Sequence, residues 1–180
     1  MYKRQPRYVI DDMWRLAVGN LMSHLKGDGN VVLPDYGARK PEVRLAIEIG
    51  APPAKVFRAL LDPELMNKWL WGAKAQVDLA AGTISYGWQY EVEGRNVVGG
   101  PTRIIEIVAN QRLVTDWTDW RGDPNKPLTR VTWTLDGLAA GTRTRVTLVH
   151  DGFELPVDRS DYQQGWGEFA RALRDLVEGT

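Results

Sequence analysis

The sequence predicts an α+β fold, an antiparallel sheet of about seven strands wrapped over a long C-terminal helix. Three features predict it. Between Asp161 and Gly179, the residues Trp166, Phe169, Ala170, Leu173, Leu176 and Val177 fall at the i, i+3, i+4, i+7 spacing that gathers side chains on one helical face. Between Glu42 and Phe153 the pattern changes to short alternating runs separated by turn residues, as in strands with one wet and one apolar face. After the first of these runs, two proline-opened segments have helical spacing. A helix with one apolar stripe must bury it, and the strands supply the surface.

Composition narrows the class. With 180 residues, 43% of them hydrophobic and 26% charged, the chain suits one globular domain, alone or with a remnant of another. Lys plus Arg (23) equals Asp plus Glu (23), so no net field favours nucleic acid or an anionic membrane. The absence of cysteine excludes disulfides, thiolate nucleophiles and sulfur-ligated metals, and makes the cytoplasm the default location. No apolar run reaches the roughly 18 residues of a membrane span. Eight tryptophans are the compositional oddity, and side chains that large line either a core or an apolar pocket.

Taken in order, Met1–Gln5 back-translates to ATG TAT AAG AGA CAG, which resembles a transposon-adapter end. It is read as a sequencing artefact of a metagenomic fragment, with the natural protein beginning further upstream; the alternative is an ordinary basic N-terminus. Asp11 or Asp12 is the expected cap of a helix carrying Trp14, Ala17, Val18, Leu21, Met22 and Leu25 and ending at Gly27. Trp14, Leu21, Leu25 and Gly27 match Trp166, Leu173, Val177 and Gly179 at one constant offset. Residues 1–30 therefore read as an N-terminal helix that partly repeats the closing one. Residues 31–41, rich in Pro, Gly and Asp, form the linker, and 42–180 the domain proper.

In that domain Val43, Leu45, Ile47 and Ile49 alternate as a half-buried strand, which Ala51-Pro52-Pro53 stops. Val56, Phe57, Leu60 and Leu61 give the next helix its buried face. Asp62-Pro63-Glu64 starts another, with Asp62 as N-cap and Leu65, Met66, Trp69 and Leu70 as its stripe. Six further strands are expected at Lys74–Leu79, Thr83–Tyr90, Thr102–Val108, Arg112–Trp120, Leu128–Leu135 and Thr142–His150. Short separators between them imply an antiparallel meander. Gly99-Gly100-Pro101 fits a bulge or the start of a strand.

These residues resemble a known family. Ile49-Gly-Ala-Pro-Pro-Ala-Lys-Val-Phe-Arg-Ala-Leu-Leu-Asp-Pro-Glu-Leu-Met-Asn-Lys-Trp69 is the most specific stretch, supported by Arg112-Leu-Val-Thr-Asp-Trp117, Thr147-Leu-Val-His-Asp-Gly-Phe153 and Gly165-Trp-Gly167. The pattern resembles the START-like (SRPBCC, birch-pollen-allergen-like) superfamily and, within it, homologues of the activator of the heat-shock protein ninety ATPase. The resemblance implies the helix-grip fold: a curved antiparallel sheet closing around the C-terminal helix, with two short helices plugging one end. It also implies either a cavity for a small ligand or a co-chaperone role toward a chaperone ATPase. Domains of such families often occur in tandem, which implies that residues 1–30 hold the closing helix of a preceding tandem domain, packed outside this one or projecting from it; the rival reading is a native extension packing on the same domain.

Alternation and helical spacing turn Tyr86, Trp88, Trp117, Trp133, Leu148 and His150 inward from the sheet, joined by Trp69, Phe153, Trp166 and Phe169 from the helices and their approach. These ten are the candidate ligand-binding residues, and each also fits a plain core position. His150, ending a strand on the apolar side, is the candidate acid or base; the structural alternative is a histidine bonded to a backbone carbonyl or the helix start. Asp116 and Asp119 flank Trp117 as a carboxylate pair and are expected to be solvated. Two histidines and no cysteine leave no metal site, and no cofactor-binding motif occurs. Arg143 and Arg145 share the outer face, too small a basic patch for nucleic acid. The expected function is binding of a small hydrophobic or amphipathic molecule, with co-chaperone contact and a cyclase- or hydratase-type enzyme using His150 as alternatives.

Overall fold

The computed structural model describes residues 7–27, 29, 31, 41–71, 74–92, 94–119, 126–154 and 159–179. Met1–Gln5, most of the linker and Trp120 lie outside them. Helix α1 (Arg7–Lys26) is followed by strand β1 (Val43–Ile49) and by helices α2 (Pro53–Leu61) and α3 (Pro63–Trp69). Strands β2 (Gln76–Asp78), β3 (Thr83–Ser85), β4 (Trp88–Val92), β5 (Arg95–Gly99), β6 (Ile104–Val108), β7 (Arg112–Trp117), β8 (Thr129–Leu138) and β9 (Arg143–Asp151) then lead to helix α4 (Ser160–Gly179). Every pairing is antiparallel: β1, β9, β8, β7 and β6 lie side by side in one sheet, while β2–β3 and β4–β5 form two hairpins.

The alternation in the sequence becomes the two faces of that sheet. Val131, Trp133, Leu135, Val146, Leu148 and His150 are buried, whereas Arg130, Arg143 and Arg145 are exposed. Helix α4 lies on the buried face through Trp166, Ala170, Leu173 and Val177. It is tied to β1 at both ends: the Arg159 guanidinium donates to the Glu42 carbonyl (3.0 Å), and the Gly50 N–H donates to Glu178 Oε1 (2.7 Å). Burial of the stripe sets which face of the helix turns inward, and the two end ties fix where it sits along the strands.

Helices α2 and α3 form as their prolines dictate. Pro53 opens α2, and the Asp62 carboxylate caps α3 by accepting from the Glu64 N–H at 3.0 Å. The Trp69 indole donates to the Ala59 carbonyl at 2.9 Å, fastening α3 to α2 inside the core.

Four expectations are corrected. The run Thr83–Tyr90 is broken after Ser85 because Gly87 (φ 76°) passes so close to the Lys74 backbone that a Cβ would collide with the Lys74 carbonyl. The segment 95–99, assigned to no strand from sequence, pairs with β4, and Gly100 exchanges two hydrogen bonds with Thr118 (3.0 and 2.8 Å). Helix α1 starts at Arg7, so Asp11 and Asp12 lie within it and not at its start; no proline interrupts the segment. Likewise α4 already includes Ser160, one residue ahead of the expected start. Helix α1 rests along α4 with Leu16 and Ser23 buried, while the stripe read from its sequence faces outward.

Candidate functional site

A cavity of about 380 Å³ opens between α4 and the strands facing it. Phe169 forms its floor, held between Trp71 (centroids 4.8 Å apart) and Trp88 (5.2 Å, stacked at 26°). Trp117 and Trp166, with centroids 5.0 Å apart, form the inner wall. Tyr90 from β4 and Arg15 from α1 complete the rim, the buried Leu70 after α3 lies deeper, and Arg15 is the charged residue among those lining the cavity.

Each wall residue has a local cause. Trp88 and Tyr90 alternate on β4 and point the same way. Trp71 sits just past the α3 C-cap Leu70 at φ 59°, a left-handed conformation usual for glycine and costly for tryptophan. Its ring contacts Phe169 at a tilt of 38° and is 61% exposed at the mouth. Trp117 ends β7, 3% exposed, and its indole N–H has no acceptor among the described residues. A buried donor of that kind costs on the order of 1–3 kcal/mol.

Of the ten sequence-derived residues, Trp88, Trp117, Trp166 and Phe169 line the cavity. Trp69, Tyr86, Trp133 and Leu148 lie beneath as core, where Trp69 meets Tyr86, Trp133 and Phe169 edge-on at 6.1–6.3 Å. Burial raises the ionisation range of the Tyr86 hydroxyl, which remains neutral. Phe153 and His150 pack together (4.4 Å) behind the cavity lining, where His150 touches Trp117 and Trp166 without lining the cavity itself. Arg15, Leu70, Trp71, Tyr90, Tyr162 and Gly165 line it without having been expected. Periodicity gives no sign of Trp71 or Arg15, since one follows a helix end and the other belongs to a helix assigned elsewhere.

His150 is fully buried and held by two side chains, with no backbone carbonyl among them. The Trp166 indole, which can only donate, gives its N–H to Nδ1 at 3.1 Å. Nδ1 therefore carries no proton; Nε2 carries it and donates to Thr129 Oγ1 at 2.8 Å. Burial pushes the ring pKa from 6.5 down to about 3, so the imidazole is neutral.

Asp116 corrects the expectation of a solvated pair. It is 4% exposed and accepts from the Thr102 N–H (2.7 Å), the Thr102 hydroxyl (2.7 Å), the Arg103 N–H (2.8 Å) and the Arg103 side chain (3.4 Å). Burial works to raise its pKa, and these donors outweigh burial and hold it below the ordinary 3.8. It clamps the approach to β6 onto β7. The outer-face Arg143 and Arg145 are both drawn to Glu48, at 2.8 and 3.1 Å.

Residues 50–178 match the family model described as Activator of Hsp90 ATPase homolog 1-like protein. The chain belongs to this family. Among solved structures, the activator-homologue fold recurs in a protein of Mesorhizobium loti (27% identity, covering 77% of this chain and 98% of that one, TM-score 0.59). It recurs in one from Cytophaga hutchinsonii (24%, 78% and 95%, TM-score 0.62) and in the Aha1 dimer from Colwellia psychrerythraea (20%, 76% and 96%, TM-score 0.58). A comparison with curated proteins returns no match. The family gives this activator-homologue domain its architecture: mixed helix and sheet, the sheet antiparallel, the last helix packed against it. No helix among the described residues is long and apolar enough to cross a membrane.

Proposed function

We propose that this activator-homologue domain binds a small hydrophobic or amphipathic molecule in the cavity beside α4. The observation that carries the reading is the cavity itself, about 380 Å³ and walled by Trp71, Trp88, Trp117, Trp166 and Phe169, a space of the size small ligands occupy. The surrounding rings offer an apolar body its contacts, and Arg15 at the rim favours an anionic end over a neutral one.

The test pairs a fluorescent long-chain acid with the alcohol of the same chain. The acid is expected to bind more tightly than the alcohol, Trp88→Ala to weaken both by about tenfold, and Arg15→Gln to erase the preference for the acid. Absence of binding by either probe, together with native mass spectra free of any co-purified molecule, would refute the reading. Two other readings lack such an observation. With both ring nitrogens committed to Trp166 and Thr129, His150 is poorly disposed to exchange a proton with a substrate. A co-chaperone role has only family likeness behind it.

A further inference from the structure

Helices α1 and α4 are each 20 residues long, and an offset of 152 positions superposes their patterns. Trp14, Val18, Leu21 and Leu25 then coincide with Trp166, Ala170, Leu173 and Val177. In α4 those four side chains are 0–2% exposed against the sheet; in α1 the corresponding four are 68%, 55%, 56% and 71% exposed. The same stripe is buried in one helix and bare in the other.

Helix α1 holds to α4 by a different face. Leu16 and Ser23 are buried there, and Gly19 leaves room for the Gln164 amide, which lies 2.6 Å from where a Cβ would stand. Attachment to this domain thus uses small residues and one leucine. The large apolar side chains point away, and Met13 and Met22, 51% and 46% exposed, widen the patch they form. A contiguous apolar face of that kind on a folded domain marks a surface meant to be covered.

The pattern of the stripe says what covers it. A tryptophan followed at i+4, i+7 and i+11 by aliphatic residues is the arrangement with which α4 fills the concave side of its own sheet. That sheet already holds one helix. We infer that α1 is the closing helix of a second helix-grip domain, whose antiparallel sheet precedes it as β1–β9 precede α4. The two domains then share a rigid junction, α1 packed back to back on α4, each helix facing its own sheet.

The test joins residues 42–158 directly ahead of Arg7 in the full chain. The join keeps register, because residue 158 precedes Arg159 as residue 6 precedes Arg7 at the same offset. A second version adds Ala17→Phe and His24→Leu, restoring the side chains that α4 has at those positions. The inference expects a monomer in at least one version with about twice the calorimetric unfolding enthalpy of the 180-residue chain, Trp14 emission shifted to the blue, and loss of the added transition on Leu21→Asp. An added sheet that stays unfolded in both versions would overturn it. So would a stable dimer of the 180-residue chain that Leu21→Arg splits, since a second copy would then be the occupant.

Discussion

His150 makes acid stability a direct readout of the buried site. In the native chain the ring is neutral down to about pH 3, whereas in the unfolded chain it takes up a proton near its ordinary 6.5. Between those values the unfolded state binds more protons, so stability rises with pH there and is lost as pH falls below 6.5. From pH 7.5 to 5.0 the loss from this one group comes to about 2 kcal/mol. The steepest slope is about 1.4 kcal/mol per pH unit. Urea unfolding followed by tryptophan emission at pH 7.5, 6.5, 5.5 and 5.0 reads this slope. His150→Gln keeps a donor for Thr129 and an amide oxygen for the Trp166 indole, yet cannot titrate, so its curve should be flatter by that amount. Asp116 does not confuse the result, because its lowered pKa places its contribution below pH 4, where stability is lost as the carboxylate protonates. Equal slopes in the wild type and His150→Gln, or a His150 proton resonance that titrates near 6.5 in the native protein, would refute the argument.

Two further substitutions separate architecture from binding. Trp71→Gly relieves a left-handed tryptophan, a gain of about 1 kcal/mol, and removes a ring contact with Phe169 worth about as much. Its melting temperature should stay within a few degrees of wild type while affinity for the long-chain acid falls about tenfold; a large drop in melting temperature would mark the residue as core. Asp116→Ala leaves the Thr102 and Arg103 donors without their acceptor and should cost about 3 kcal/mol at pH 7 in urea unfolding. The difference from wild type should shrink as the pH falls through the lowered carboxylate pKa, and a constant difference down to pH 2 would deny the carboxylate its role as a clamp.

Much of the fold is legible because its elements announce themselves within a few residues. Asp62-Pro63-Glu64 carries cap, first-turn proline and dipole charge in three positions, and the α3 start follows. Alternation in β8 and β9 separates buried from exposed residues because one face meets α4 and the other meets solvent. Legibility ends where a non-local approach decides the outcome. Gly87 reads as one more residue of a strand until the Lys74 backbone comes against it. Asp116 reads as a turn carboxylate until Thr102 and Arg103, fourteen and thirteen positions away, close on it. The cavity follows the same rule: alternation found Trp88 and Trp117, but could not separate them from Trp133 and Leu148, which share their face and lie deeper.

Helix α1 shows the limit from the other side. Its stripe is as clear in the sequence as that of α4, because hydrophobic spacing records which face a helix is built to bury and not whether the burying surface is at hand. Local pattern and tertiary packing agree along α4 and disagree along α1, where Trp14, Leu21 and Leu25 stand in solvent while Leu16 and Ser23 are covered. That disagreement along one face of α1 is what the inferred second sheet accounts for.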